Sequence, residues 1–212
     1  MKIALFGTSA DPPTIAHQEI ISWLGSQFVG AASSQKNRVA VWAADNPFKR
    51  HGASLEQRSQ MLELLIEEID PVISQHAQVY RSLSSKRTIE TLATAKTIWH
   101  NSEFILTIGA DLITQLPQWY QVSELLNQVE LLIVPRIGNQ IESIDLQRLV
   151  DIGAKITIAS LATPQISSTL IRNSHSIQGL TPKVVTYIQQ HNLYSITDDF
   201  LDRQKLNQTD PC

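Results

Sequence analysis

The chain has 212 residues, 42% of them hydrophobic and 17% charged, with a net charge of −3 and a pI near 6.1. That is enough length for one well-buried domain and short for two, and the weakly negative balance gives no basic field for nucleic acid or a membrane surface. No apolar run reaches the ~20 residues that span a bilayer, no secretory h-region opens the chain, and a lone cysteine, Cys212, permits no disulfide framework or Cys-based zinc site within one chain; the expectation is a cytoplasmic enzyme or small-molecule binder, with room for a homo-oligomer.

Residues 2–6 read as a short apolar strand running into Gly7–Pro13, a stretch with neither helical nor strand period. Thr14-Ile15-Ala16-His17 then opens an amphipathic helix in which Ala16, Ile20, Leu24 and Phe28 repeat every four residues. A strand at 38–44 leads into Asp45–His51, a loop with three adjacent basic residues. Ser54 is a helix cap with Gln57 at the third position, followed by Met61, Leu62, Leu64, Leu65 and Ile69. Further strands are expected at 78–83, 103–108, 129–134 and 155–159, with helices at 88–99 and 123–128 between them. After a Thr163-Pro164 turn, Ser167 or Ser168 caps another helix. Several strands are apolar almost throughout, which suits parallel strands covered on both faces. The series predicts an α/β fold, a doubly wound parallel sheet in a single domain over residues 1–194. Residues 195–212 are polar and read as a loose tail.

Two segments carry chemistry. Gly7, Thr8 and Ser9 lie in a small-residue loop that lets backbone approach an anion, and the following helix start points unpaired N–H groups at it. Thr14 and His17, three apart, share one side of the first turn. At the other end of the chain, Ile166-Ser167-Ser168-Thr169-Leu170-Ile171-Arg172 brings hydroxyls, free N–H groups and a guanidinium toward one point, a grip suited to polyphosphate. His51, His76, His100, His175 and His191 show no metal-ligand spacing. No Walker-A or Gly-x-Gly-x-x-Gly pattern supports a kinase or dehydrogenase.

Gly7, Asp11, Pro12, Thr14 and His17 match the first signature of the HxGH nucleotidyltransferases, and Ile166–Arg172 resembles their second. A narrower resemblance, to the bacterial nicotinate-mononucleotide adenylyltransferases, covers residues 1–194. It rests on Arg58-Ser59-Gln60-Met61-Leu62-Glu63-Leu64, on Thr88-Ile89-Glu90-Thr91-Leu92, on Ile108-Gly109-Ala110-Asp111 with Trp119-Tyr120, and on Val184 through Leu193-Tyr194. The resemblance implies a Rossmann-like nucleotidyltransferase fold and AMP transfer from ATP to nicotinate mononucleotide in NAD biosynthesis. It implies His17, Arg172 and Thr14 as catalytic residues. Gly7, Thr8, Ser9, Lys49, Asp111, Ser167, Ser168 and Thr169 would bind ATP; Arg87, Thr88, Trp119 and Tyr120 would bind the pyridine mononucleotide. Mg²⁺ would ride on the phosphates rather than on protein ligands. Arg87 at a helix start favours a carboxylate on the ring over an amide.

Departures cluster around both substrates. Thr14 stands where the family has a histidine, Ala16 replaces a glycine, Ala10 an aromatic, and Lys86-Arg87 stands where Ser-Tyr is usual. Two alternatives follow: a nicotinamide-mononucleotide adenylyltransferase, or a nucleotide-binding regulator with weakened catalysis.

Overall fold

The computed structural model describes residues 1–29, 37–46, 49–138 and 140–196. Six strands form one parallel sheet: β1 Lys2–Thr8, β2 Arg38–Ala43, β3 Ala77–Val79, β4 Glu103–Gly109, β5 Glu130–Val134 and β6 Lys155–Ile158. Their spatial order is β3-β2-β1-β4-β5-β6. The order reverses between β1 and β4, where Phe6 lies opposite Thr107. That reversal is the place where a doubly wound sheet opens a crevice beyond its strand ends.

Among the described residues eight α-helices cover the faces: α1 Ile15–Ser26, α2 Leu55–Glu67, α3 Pro71–Ser74, α4 Thr88–Ile98, α5 Val122–Leu126, α6 Ser143–Asp151, α7 Ser168–Ser174 and α8 Pro182–Gln190. Strand alternation divides the core in two. Ala4, Phe6, Val39 and Val41 face one side and pack with Ile21, Leu24, Met61, Leu65, Val184 and Ile188. Ile3, Leu5, Ala40 and Trp42 face the other, with Leu92, Leu106, Leu125 and Leu149. The period of two within β1, β2, β4 and β5 thus buries both faces of these strands, as their apolar sequences require.

Differences from the sequence expectation are local. Strand β1 continues through Gly7 and Thr8, so the phosphate loop proper begins at Ser9. Strand β3 ends at Val79, and Arg81–Leu83 forms a 3-10 turn instead of strand. Arg81 is drawn away to Glu56 and Glu63 of α2. Ser54 caps α2 as expected, with Gln57 Oε1 accepting from the Ser54 N–H at 3.0 Å. Of the expected tail, Ile196 is buried in the core, so packing continues past Tyr194; residues 197–212 lie outside the described residues. No described helix is long and apolar enough to cross a membrane.

Candidate active site

The carboxyl ends of β1, β2 and β4 open onto a cleft of about 950 Å³. Its described lining carries six permanent cations, Lys49, Arg50, Lys86, Arg87, Arg136 and Arg172, against the carboxylates Asp11 and Asp111. An acidic protein therefore presents a basic cleft, which selects an anionic ligand.

Gly7 is set by packing. A Cβ there would fall 2.3 Å from Trp42 Cζ2, so only glycine lets the buried indole cross β1. Beyond it the chain bends at Ala10, which adopts φ +47°, with the Ala10 N–H donating to Thr8 Oγ1 at 3.3 Å. Arg58 of α2, 1% exposed, props this loop from behind. Its Nη1 donates to the carbonyls of Ser9 and Ala44, both at 2.8 Å. Lys49 reaches Ser9 Oγ at 3.3 Å, which places the basic loop across the mouth of the phosphate loop.

Helix α1 begins with Thr14 as its cap. The Thr14 N–H donates to His17 Nδ1 at 3.0 Å, and Thr14 Oγ1 lies 2.9 Å from the same nitrogen. A nitrogen that accepts from an amide N–H carries no proton, so the neutral ring bears its hydrogen on Nε2. Burial, and less strongly the Arg136 guanidinium, lower the His17 pKa from 6.5 to about 4. His17 is thus a neutral donor on the cleft wall. Thr14 itself is fully buried and is not among the lining residues; it orients His17 rather than facing a ligand.

The second signature meets the first around Asp11. Ser167 caps α7, its Oγ accepting from the Leu170 N–H at 3.1 Å. Ser168 Oγ donates to the Pro12 carbonyl at 2.8 Å. Arg172 Nη1 donates to the Asp11 carbonyl and lies 3.6 Å from Asp11 Oδ2, while Nη2 donates to Thr169 Oγ1 at 3.3 Å. Residues 161 positions apart are so joined at one end of the cleft. Ser167, Ser168, Thr169 and Arg172 all line it.

The other end is built by the segment after β4 and the start of α4. Asp111 sits in a 3-10 turn directly after Gly109 and pairs with Arg136, Nε to Oδ1 at 3.4 Å. Trp119 is half-buried and Tyr120 is exposed; both line the cleft with Arg87 and Thr88. The Arg87 guanidinium stacks over the Tyr120 ring, 3.9 Å from its centroid. Sequence reasoning gave Arg136 no site role, though Pro135-Arg136-Ile137-Gly138 resembles part of a family Arg-Pro-Gly segment. It follows β5, and a lone bridge to Thr163 holds it in place. Apart from that resemblance, a strand-end arginine beyond an apolar strand was its only local signal. Among the described residues, no group of three or more His, Cys, Asp or Glu side chains is placed to hold a metal ion.

The cytidylyltransferase-like family model matches residues 5–174, spanning both signatures. Over 207 residues the chain is 42% identical to a Synechocystis sp. protein described as a probable nicotinate-nucleotide adenylyltransferase, covering 92% of this chain and 99% of that one. The chain belongs to the nicotinate-nucleotide adenylyltransferase family. A Listeria welshimeri protein of the same description is 30% identical over 202 residues, covering 91% and 97%. Among solved structures, a Plasmodium falciparum nicotinic acid mononucleotide adenylyltransferase complexed with NaAD superposes with a TM-score of 0.72 at 20% identity, covering 92% of this chain and 98% of that one. At that identity the superposition establishes the nucleotidyltransferase fold, in agreement with the strand order.

Proposed function

We infer that the protein transfers the AMP group of ATP to nicotinate mononucleotide, giving nicotinate adenine dinucleotide and pyrophosphate. The observation that carries this reading is the meeting of His17 and Arg172, from opposite ends of the chain, in one cation-lined cleft at the strand-order reversal. The mononucleotide phosphate is already an anion and attacks the α-phosphorus of ATP in line. The P–O bond to the β-phosphate breaks, and its electron pair leaves with pyrophosphate. No proton has to be removed, so positioning and charge stabilisation supply the acceleration.

In this reading His17 Nε2–H donates to an α-phosphate oxygen as charge shifts, with Thr14 holding the ring. Ser9, Lys49, Thr169 and Arg172 serve the β- and γ-phosphates, and Ser167 and Ser168 shape that end. Asp111 accepts from a ribose hydroxyl. Trp119 and Tyr120 flank the pyridine ring, and Arg87 with the α4 start reads its carboxylate. Arg136 lies where it can pair with a phosphate once Asp111 turns to the sugar. Mg²⁺ enters with ATP as part of the substrate. The catalytic domain takes in residues 1–194 together with Ile196, which packs into its core.

Pyrophosphate release from MgATP with each pyridine mononucleotide in turn tests the reading. Turnover with the nicotinate form, at least tenfold above the nicotinamide form in kcat/KM, is expected. Equal use of both would move the protein to the nicotinamide alternative, and release with neither would leave only nucleotide binding.

A further inference from the structure

Asp11 is the most heavily committed side chain in the protein. It is 1% exposed, yet it meets three separate segments. The N–H groups of Gly52 and Ala53 donate to its Oδ2 and Oδ1 at 2.9 and 3.1 Å. The Arg172 guanidinium and His51 Nδ1 both lie 3.6 Å from Oδ2. The Tyr194 hydroxyl donates to Oδ1 at 2.8 Å. Of these contacts, the one from Tyr194 comes from outside both signatures and the basic loop.

The turn that brings Tyr194 there is unusual. Asn192, Tyr194 and Ser195 adopt φ of +49°, +60° and +53°, a region that non-glycine residues visit rarely and at a cost of ~1–3 kcal/mol each. Two contacts hold it. His175 Nδ1 donates to the Tyr194 carbonyl at 2.9 Å, and His175 directly follows α7, the helix that carries Arg172. The Tyr194 ring lies against Gly52, where a Cβ would come within 2.9 Å of it. Burial and the neighbouring Asp11 carboxylate raise the Tyr194 pKa far above its ordinary value, so the phenol remains a donor.

We propose that Tyr194 is a positioning residue for ATP, a latch that occupies one oxygen of Asp11 and thereby keeps the carboxylate from drawing the Arg172 guanidinium away from the triphosphate. A buried carboxylate must be satisfied. With Oδ1 held by Tyr194 and Oδ2 by the Gly52 N–H, its demand on Arg172 is limited to a long 3.6 Å contact. Without the phenol, Oδ1 loses its strongest neutral donor. The Arg172 guanidinium, 3.6 Å from Oδ2, is the permanent cation placed to compensate it, and drawing closer to the carboxylate would withdraw it from the cleft. The same carboxylate holds the Gly52 and Ala53 N–H groups, just beyond Lys49 in the chain, so the C-terminal turn bears on the Lys49 side of the cleft as well as on Arg172. Because Arg172 serves the phosphates in ground and transition states alike, the loss is expected in ATP binding rather than in turnover.

This inference rests on the ATP reading of the cleft. Its test is Tyr194→Phe, which keeps the ring against Gly52 and removes only the hydroxyl. Binding of the non-hydrolysable α,β-methylene analogue of ATP is measured by calorimetry without acceptor, followed by steady-state kinetics. The expected result is an analogue Kd and an ATP KM about fivefold or more above wild type, with kcat and the mononucleotide KM within twofold. In an Arg172→Gln background, Tyr194→Phe should shift the analogue Kd by less than twofold, because the latch acts through Arg172. An unchanged analogue Kd in Tyr194→Phe, or additive effects in the double variant, overturns the latch while leaving the function intact. A parallel rise of the ATP and mononucleotide KM values with a lowered Tm overturns it in favour of general loosening. An analogue that fails to bind wild type overturns the ATP reading and the latch together.

Discussion

The protonation of His17 gives the site a quantitative test. Its pKa is about 4 in the folded protein, lowered first by burial and then by Arg136, and ~6.5 in an unfolded chain. As pH falls below 6.5 the unfolded chain takes up the proton first, so the folded state loses stability. The loss continues until the folded-state value near 4 is passed. At ~1.4 kcal/mol per pH unit, a fall from 6.5 to about 4 corresponds to about 3 kcal/mol. The control is His17→Gln. Gln57 already accepts from the Ser54 N–H at the matching position of α2, so glutamine can cap α1 without titrating. Denaturant unfolding of both proteins at pH 7.5 and at pH 4.5 isolates the histidine from the other acids. The wild type should lose about 2–3 kcal/mol more than the variant over that interval. Proton NMR of the His17 ring should show no titration above pH 5 in the free protein, and a rising midpoint once a triphosphate sits beside it. A midpoint near 6.5, or a stability difference that does not change with pH, would refute both the buried neutral ring and the Nε2 donor built on it.

Other substitutions probe the rest of the cleft. His17→Ala should lower kcat by roughly 10²–10³, the loss for one donor aimed at developing charge, as pyrophosphate release will show; near-normal turnover would remove His17 from the chemistry. Arg172→Lys keeps the charge but not the planar fork that reaches Asp11 and Thr169 together, so the ATP KM should rise several-fold, and unchanged kinetics would make Arg172 a bystander. Arg87→Ala should cut the preference for the carboxylated mononucleotide about tenfold, the ~1.5–3 kcal/mol of one charge-assisted hydrogen bond; a preserved preference in kcat/KM assigns the carboxylate to backbone groups alone. Gly7→Ala forces a methyl to within 2.3 Å of the Trp42 ring and should cost ~1–3 kcal/mol by overpacking, read by denaturant unfolding together with Trp42 fluorescence.

Local pattern carried most of the architecture. All six expected strands recur in the sheet, most legibly β1, β2, β4 and β5, whose central residues are buried and read as apolar runs. The Ser54 cap and the helix start at Thr14 were legible because their partners lie three residues away. What the sequence hid was set by distant neighbours. Arg58 reads as one more charge on an amphipathic helix until its guanidinium is found under the Ser9 and Ala44 carbonyls. Thr14 reads as a ligand donor, but its whole capacity turns inward to His17. Asp11 sits in a recognisable signature, yet nothing local announces that Gly52, Arg172 and Tyr194 all converge on it. Strand β3 was placed too far along because Leu83 continues the apolar composition after the strand period has stopped.

The strand order also has a consequence for biosynthesis. β1, which precedes the other five strands in the chain, occupies the middle of the finished sheet, between β2 and β4. One edge is covered as soon as β2 is made, at Ala43, but the other waits for β4, complete only at Gly109. At ~5–20 residues per second, that interval lasts several seconds. Throughout it, an apolar strand whose Ile3, Ala4 and Leu5 end up wholly buried offers open backbone to whatever strand is nearest. Arg172 and Tyr194 emerge later still, so the nascent chain cannot grip a triphosphate until both have been translated. The most exposed moment in the life of this protein thus falls before it has any ligand to steady it.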